Sequence, residues 1–246
     1  MISLEVKDGV QIVRIDRAEK KNALTFDMYE TLAEAFIVDK EDVGCTLVLG
    51  QPEMFTAGND IGDFLKFASG SDMPMGGVVK FLSSLTEIKT PMVVGVDGPA
   101  IGVGTTMLLH ADMVVASPRA SFKTPFVNLG LVPEAGSSFI APQIMGHARA
   151  FELLVLGETF TAQRAYEAGL VNKIVPEEAL ENEAFELAKK IAAMPREAVR
   201  LSKGLLDKNK AAIGERISDE MDIFKDRLKS AEARNAFMAF MMKSKK

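Results

Sequence analysis

Ile2, Leu4 and Val6 alternate with polar neighbours, Asp8-Gly9 follows, and apolar residues resume from Val10 to Ile15. Alternation on both sides of an Asp-Gly pair predicts a β-hairpin. From Phe26 to Val38 the apolar positions recur at helical spacing, and the apolar run Thr46 to Leu49 closes on Gly50, as a buried strand does. The opening unit therefore reads strand, strand, helix. Val78 to Ile88 repeats the helical spacing, Thr90-Pro91 interrupts it, and Met92 to Val96 is apolar almost throughout. A further helix over Ile101 to Leu109 and strand over Met113 to Ala116 follow. Strands one helix apart predict parallel neighbours, because parallel pairing needs connections of about a dozen residues. The fold class is α/β.

After Gly146 the pattern turns helical. Segments His147 to Leu156, Ala162 to Ala168, Glu177 to Met194, Glu197 to Leu206 and Ala211 to Met242 carry it, with breaks expected at Gly157, Gly169, Pro195 and Gly214. The division expected is a core over 1–190 and a helical, capping or trimerising region over 191–246. Met221, Phe224, Leu228, Phe237, Phe240 and Met241 give the last helices apolar faces that suit either an internal core or a neighbouring subunit.

Composition narrows the classes. The 246 residues are 48% hydrophobic and 26% charged, ordinary for a globular chain long enough to bury a full core. A net charge of -5 without a basic stripe argues against nucleic acid as a partner. No apolar run has the length of about 18 residues that a spanning helix needs. The start, Met1-Ile2-Ser3-Leu4-Glu5, lacks the basic and apolar regions of a signal peptide, and the end, Ser244-Lys245-Lys246, is not a Ser-Lys-Leu address. No membrane association and a cytoplasmic location are expected. Cys45 is the single cysteine, read as a small core residue, and His110 and His147 lack a ligand cluster, so no metal site is expected and a surface or capping role is preferred for both.

Three segments carry candidate chemistry. Phe55-Thr56-Ala57-Gly58-Asn59-Asp60-Ile61 leaves the carboxyl end of a predicted strand, where open α/β folds place ligands. Gly98-Pro99-Ala100-Ile101-Gly102-Val103-Gly104 follows the next strand and opens a helix, offering free N–H groups. Each alone is ordinary backbone geometry; their order and context are what single them out. The second is not a dinucleotide fingerprint, because the third glycine is missing. Third, Thr124 to Ser138 holds Glu134, the only acid between Asp112 and Glu152, among apolar and small residues. From the residues alone, Glu134 is open to two readings, a functional acid or an exposed acid at a helix N-terminus. Asp60 is read as fixing its loop through an Asx-type bond.

Lys21-Asn22-Ala23-Leu24, Ala57 to Ile61, Gly98 to Gly104, Gly130 to Gly136 and Glu167-Ala168-Gly169-Leu170-Val171 together resemble the successive signature segments of the crotonase, or enoyl-CoA hydratase/isomerase, superfamily. The resemblance implies a spiral of strand-strand-helix turns capped by C-terminal helices, assembled as trimers or dimers of trimers, hence a homotrimer or hexamer. It implies acyl-CoA as the partner, with coenzyme A part of the substrate and no separate cofactor. The backbone amides of Asn59 and Val103 would form an oxyanion hole. Lys21, Ala23, Leu24, Ala57, Gly58, Asp60 and Ile61 would line the coenzyme A channel, with Lys21 available for phosphate; a solvated loop is the plain alternative for Lys20-Lys21.

The reaction turns on the carboxylates. Where hydratases of the superfamily carry two glutamates, this chain has Thr106 and Phe126, and hydration needs groups to activate water and deliver a proton. Pro125 through Ser138 instead resembles the segment holding the single acid of peroxisomal-type Δ3,Δ2-enoyl-CoA isomerases, with Glu134 as that acid. The activity implied is a 1,3 proton shift. The alternatives are hydration or another crotonase-type reaction, and, from a different class, acyl-CoA binding without catalysis.

Overall fold

The computed structural model describes residues 1–37, 39–60, 62, 76–207 and 209–244. The expected helix end at Val38, Ile61 of the donor loop, the side chains of Phe240 and Met241, and Lys245 and Lys246 lie outside the described residues.

Strands β1 (Ile2–Lys7) and β2 (Val10–Ile15) pair antiparallel. Asp8 and Gly9 between them both take positive φ, 51° and 77°, which the tight turn requires. Helix α1 (Phe26–Ile37) leads to β3 (Cys45–Leu49), and α2 (Gly76–Ser84) to β4 (Met92–Val96). Here the chain departs from the expected pattern. Instead of entering a helix at Ile101, it makes a short strand β5 (Pro99–Ile101), and only then the single-turn helix α3 (Val103–Thr106), continued by a 3-10 turn to His110. β6 (Met113–Ala116) is likewise followed by a short β7 (Ser121–Lys123).

Two sheets result. The large one runs β1-β2-β3-β4-β6 with β9 (Lys173–Ile174) at its edge, parallel from β2 onward, and the small one pairs β5 with β7 and β7 with β8 (Phe160–Thr161). The chain passes repeatedly from the large sheet to the small one, winding successive turns beside each other. Gly98 makes one such corner at φ 84°, where a Cβ would lie 2.1 Å from the Glu53 carbonyl oxygen.

Both faces of the large sheet are covered, which explains its unbroken apolar strands. Val13, Val48, Val94 and Val114 pack with α1 and α2 residues such as Leu32, Phe36 and Phe81. Cys45, Leu47, Val93 and Val115 face the other way, against Leu180, Ala184 and Ala188 of α7 (Leu180–Ala192). Cys45 is thus a core residue, as expected.

In the helical half, α4 (Ser137–Met145), α5 (His147–Phe151) and α6 (Ala162–Glu167) precede α7, and α8 (Arg196–Leu206), α9 (Lys210–Leu228) and α10 (Ala231–Ser244) follow it. The expected break at Gly214 is absent: α9 runs straight through it and ends at Leu228. Apolar side chains of α9 hold that glycine in the helix, since Ile217, Phe224 and Leu228 join the main core cluster and half-buried Ile213 packs against it. Ala233 and Phe237 of α10 enter the same cluster, so residues beyond 190 share one core with the strands. No described helix is long and apolar enough to cross a membrane.

Candidate active site

The loop after β3 is built on the segment Lys21 to Leu24. Buried Asn22 donates to the carbonyls of Met54 (3.0 Å) and Phe55 (3.2 Å), accepts from the Arg17 amide (2.8 Å), and receives the Thr56 hydroxyl on its own carbonyl (2.6 Å). The Ala57 amide donates to the Lys21 carbonyl, the Leu24 amide to Gly58, and the Asp60 amide to Leu24. Asp60 closes the loop: its Oδ1 accepts the Gly62 amide at 2.9 Å, the Asx bond expected, and its Oδ2 accepts Arg17 Nη1 at 2.7 Å. The bonds on either side of Asn59 fix its peptide plane, yet among the described residues its own N–H has no acceptor.

The second loop is pressed against the first. The Ile101 amide donates to the Thr56 carbonyl at 2.9 Å, and the Gly102 amide to Lys123 at 2.8 Å. A Cβ on Gly58, whose φ is 82°, would lie 2.6 Å from the Ile101 carbonyl oxygen, and one on Gly104 would lie 2.3 Å from Thr56 Cγ2. Glycine is required at both places for the loops to meet. Val103 is the first residue of α3, and among the described residues its N–H is also without an acceptor.

Glu134 sits in the turn before α4, and it is buried rather than exposed. Its Oε1 accepts the hydroxyl of Thr106, itself fully buried at the end of α3. Burial pushes the Glu134 carboxyl up to about 8, against the Thr106 bond, which favours the charged form, and with a further rise from the Glu220 carboxylate. Ala135 next to it takes φ 60°, and the ring Nε2 of His110 lies 2.7 Å from the Ala135 carbonyl oxygen. Since a carbonyl can only accept, Nε2 carries the hydrogen. Burial drives the imidazole pKa down to about 4, keeping the ring neutral. His110 is half-buried, and its ring ties down the turn that carries the acid.

Asn59, Val103 and Glu134 line one cavity, together with Tyr29, Val78, Leu82, Met221 and Phe224. The Tyr29 hydroxyl donates to Asn59 Oδ1. A neighbouring apolar cavity shares Asn59 and Phe224 and extends past Ala57, Gly58, Gly102, Phe126 and Phe237. Of the residues expected along a coenzyme A channel, Ala57 and Gly58 line this second cavity. Lys21, Ala23, Leu24 and Asp60 line neither; they are the scaffold behind the loop, and Leu24 is in the core.

Sequence reasoning missed Tyr29, Thr106 as a donor, His110, Glu220, Met221 and Phe224. For Met221 and Phe224 the apolar face of the last helices was a signal; for Glu220, a charge on an amphipathic helix, there was none. Chemically, two unpartnered amides facing a cavity can hold an oxygen that gains negative charge, and a carboxyl titrating near neutrality beside them can take up and return a proton.

The sequence matches the profile described as enoyl-CoA hydratase/isomerase over residues 5–246. It is 35% identical to "Enoyl-CoA delta isomerase 2" of Rattus norvegicus across 97% of this chain, and spans 62%, under two thirds, of that protein's length. It is 30% identical to "1,2-epoxyphenylacetyl-CoA isomerase" of Escherichia coli, across 97% of this chain and 94% of that one. A solved enoyl-CoA hydratase/isomerase from Pseudoalteromonas atlantica superposes with a TM-score of 0.92 at 38% identity, covering 98% of this chain and 97% of the other.

Proposed function

The chain belongs to the enoyl-CoA hydratase/isomerase (crotonase) family, and within it we propose an enoyl-CoA isomerase that moves a double bond from the 3- to the 2-position of an acyl thioester. The observation that carries this reading is a buried glutamate, the one acid among the described residues lining its cavity, sharing that cavity with two residues whose amides are unpartnered. Thr106 and Phe126 occupy the places where the resemblance puts the two hydratase acids, so Glu134 stands without them.

In this reading the thioester carbonyl oxygen accepts from the Asn59 and Val103 amides. Ionised Glu134 removes a proton from C2, and the electron pair moves onto the carbonyl oxygen, giving a dienolate that the two amides stabilise. Glu134 then returns the proton to C4, and the electrons released from the oxygen leave a C2–C3 double bond. One acid suffices because the proton that leaves is the proton that returns. The Thr106 hydroxyl steadies the carboxylate when it is charged, and the apolar walls from Val78, Leu82, Met221 and Phe224 exclude water, keeping the amides effective. Losing one donor of such a hole typically costs about 10²- to 10³-fold in rate. Coenzyme A enters only as part of the substrate, its chain running past Ala57 and Gly58 toward the surface at Lys21, and no separate cofactor takes part.

The test is purified protein with a trans-3-enoyl-CoA, following the ultraviolet absorbance of the conjugated 2-enoyl thioester, beside Glu134→Gln. Conversion that disappears in the variant is the expected outcome. Conversion that survives it would remove Glu134 from the mechanism, and binding of acyl-CoA without turnover would favour a non-catalytic protein. The Escherichia coli relative favours a second reading, isomerisation of 1,2-epoxyphenylacetyl-CoA. Offering that epoxide beside the 3-enoyl thioester separates the two.

The reading also includes assembly as a homotrimer or a dimer of trimers. Supporting it, α8 exposes Leu201, Leu205 and Leu206, at 56%, 68% and 85%, more apolar surface than one helix of a monomer usually presents.

A further inference from the structure

Glu220 lies on α9, 84 to 86 residues from the turn that holds Glu134, and is 5% exposed. A carboxylate that deep needs partners, and it has them. Its Oε2 accepts the Gly136 amide at 2.6 Å and its Oε1 the Ser138 amide at 3.0 Å. These are amides at the start of α4, left without acceptors inside the helix, and they begin two residues after Glu134. Gly136 is at φ 69° and Ala135 at φ 60°, so the backbone here is held in a shape it would not keep unaided.

We propose that Glu220 is a positioning residue for Glu134: it ties the turn carrying that acid to the C-terminal helix and stations a second carboxylate beside it. The inference rests on the reading of Glu134 as the proton carrier. Burial raises the pKa of Glu220, while the two amides and the Ser138 side chain favour its charged form. Its charge in turn raises that of Glu134. The other titratable or charged neighbours of the pair are Tyr29 from α1, His110 from the turn after α3, and Arg216 on α9, whose Nη1 is 3.4 Å from Ser138 Oγ. An acid that must both release and recapture a proton benefits from a neighbour that keeps it a competent base near neutrality.

The experiment is a carboxyl 13C NMR titration of the full chain labelled at glutamate, with the Glu134 signal identified by its loss in Glu134→Gln. It needs no turnover, so it is informative even if the isomerase reading fails. Glu220→Gln removes the charge and keeps an acceptor oxygen for one of the two amides; the Glu134 midpoint should fall by about half a pH unit or more, and the acid limb of kcat/KM should fall with it. Glu220→Asp keeps the charge and should hold the midpoint near that of the parent. A Glu134 midpoint unmoved in Glu220→Gln, or moved equally by both substitutions, would overturn the proposal.

Discussion

Glu134 has consequences for stability as well as for chemistry. Its folded-state pKa is raised from 4.5 to about 8, so the native state holds this proton more tightly than the unfolded chain does. The stability it contributes is fully present below about pH 4.5 and is lost as the pH climbs through about 8, a difference on the order of 5 kcal/mol. Glu134→Gln removes that titration. Its melting temperature relative to the parent should therefore rise between pH 5 and pH 9, as thermal melts at the two values would record; a constant difference would mean that the acid is not buried as described. In the sequence this residue stood out by isolation and by its surrounding motif. Its burial was not legible there, because the cavity it lines takes Met221 and Phe224 from a helix far along the chain.

At the scale of elements, the short segment Val103 to His110 unites the site. Val103 offers its amide to the cavity, Thr106 bonds the acid and His110 holds the turn beside it, three residues spaced so that one side of a single stretch of helical backbone presents all of them. Thr106→Val should then act on the acid and spare the two unpartnered amides. With the hydroxyl gone, the charged form of Glu134 loses a partner, its pKa rises further, and the acid limb of kcat/KM moves to higher pH; an unmoved limb would show that the bond has no bearing on proton transfer. The long apolar strands and the hairpin were legible because their periodicity runs over several residues. β5, β7 and β8 were not, since two or three residues carry no period, and Ile101 was absorbed into the helix that follows it. Gly214 shows the opposite failure: a residue that weakens an isolated helix was outweighed by the packing of its neighbours.

Across the whole molecule, one hydrophobic cluster reaches from β2 to α10, and the cavity takes its walls from both ends of the chain. Removal of the last helices would therefore open the cavity as well as shorten the protein. The leucines left outside on α8 belong to a different surface. If that surface is where subunits meet, light scattering coupled to size exclusion should give the mass of three or six chains, and Leu205→Lys with Leu206→Lys should shift it toward one. A monomeric parent would count against assembly through this face. The subunit question was open in the sequence because apolar helix positions look alike whether they are covered from within or from without.

The contact of Gly58 with the Ile101 carbonyl carries one more consequence. At that contact the two loops that carry the amides meet main chain on main chain, and the Thr56 methyl against Gly104 is the side chain that also separates them. In the proposed reading, where these amides hold the thioester oxygen, point substitution at this contact has little means of retuning their spacing to a wider or narrower oxygen. On that reading a chain built this way acquires a new reaction chiefly by changing what stands opposite the two amides, so a library aimed at altered chemistry should vary positions 106, 126 and 134 and leave both glycine loops alone.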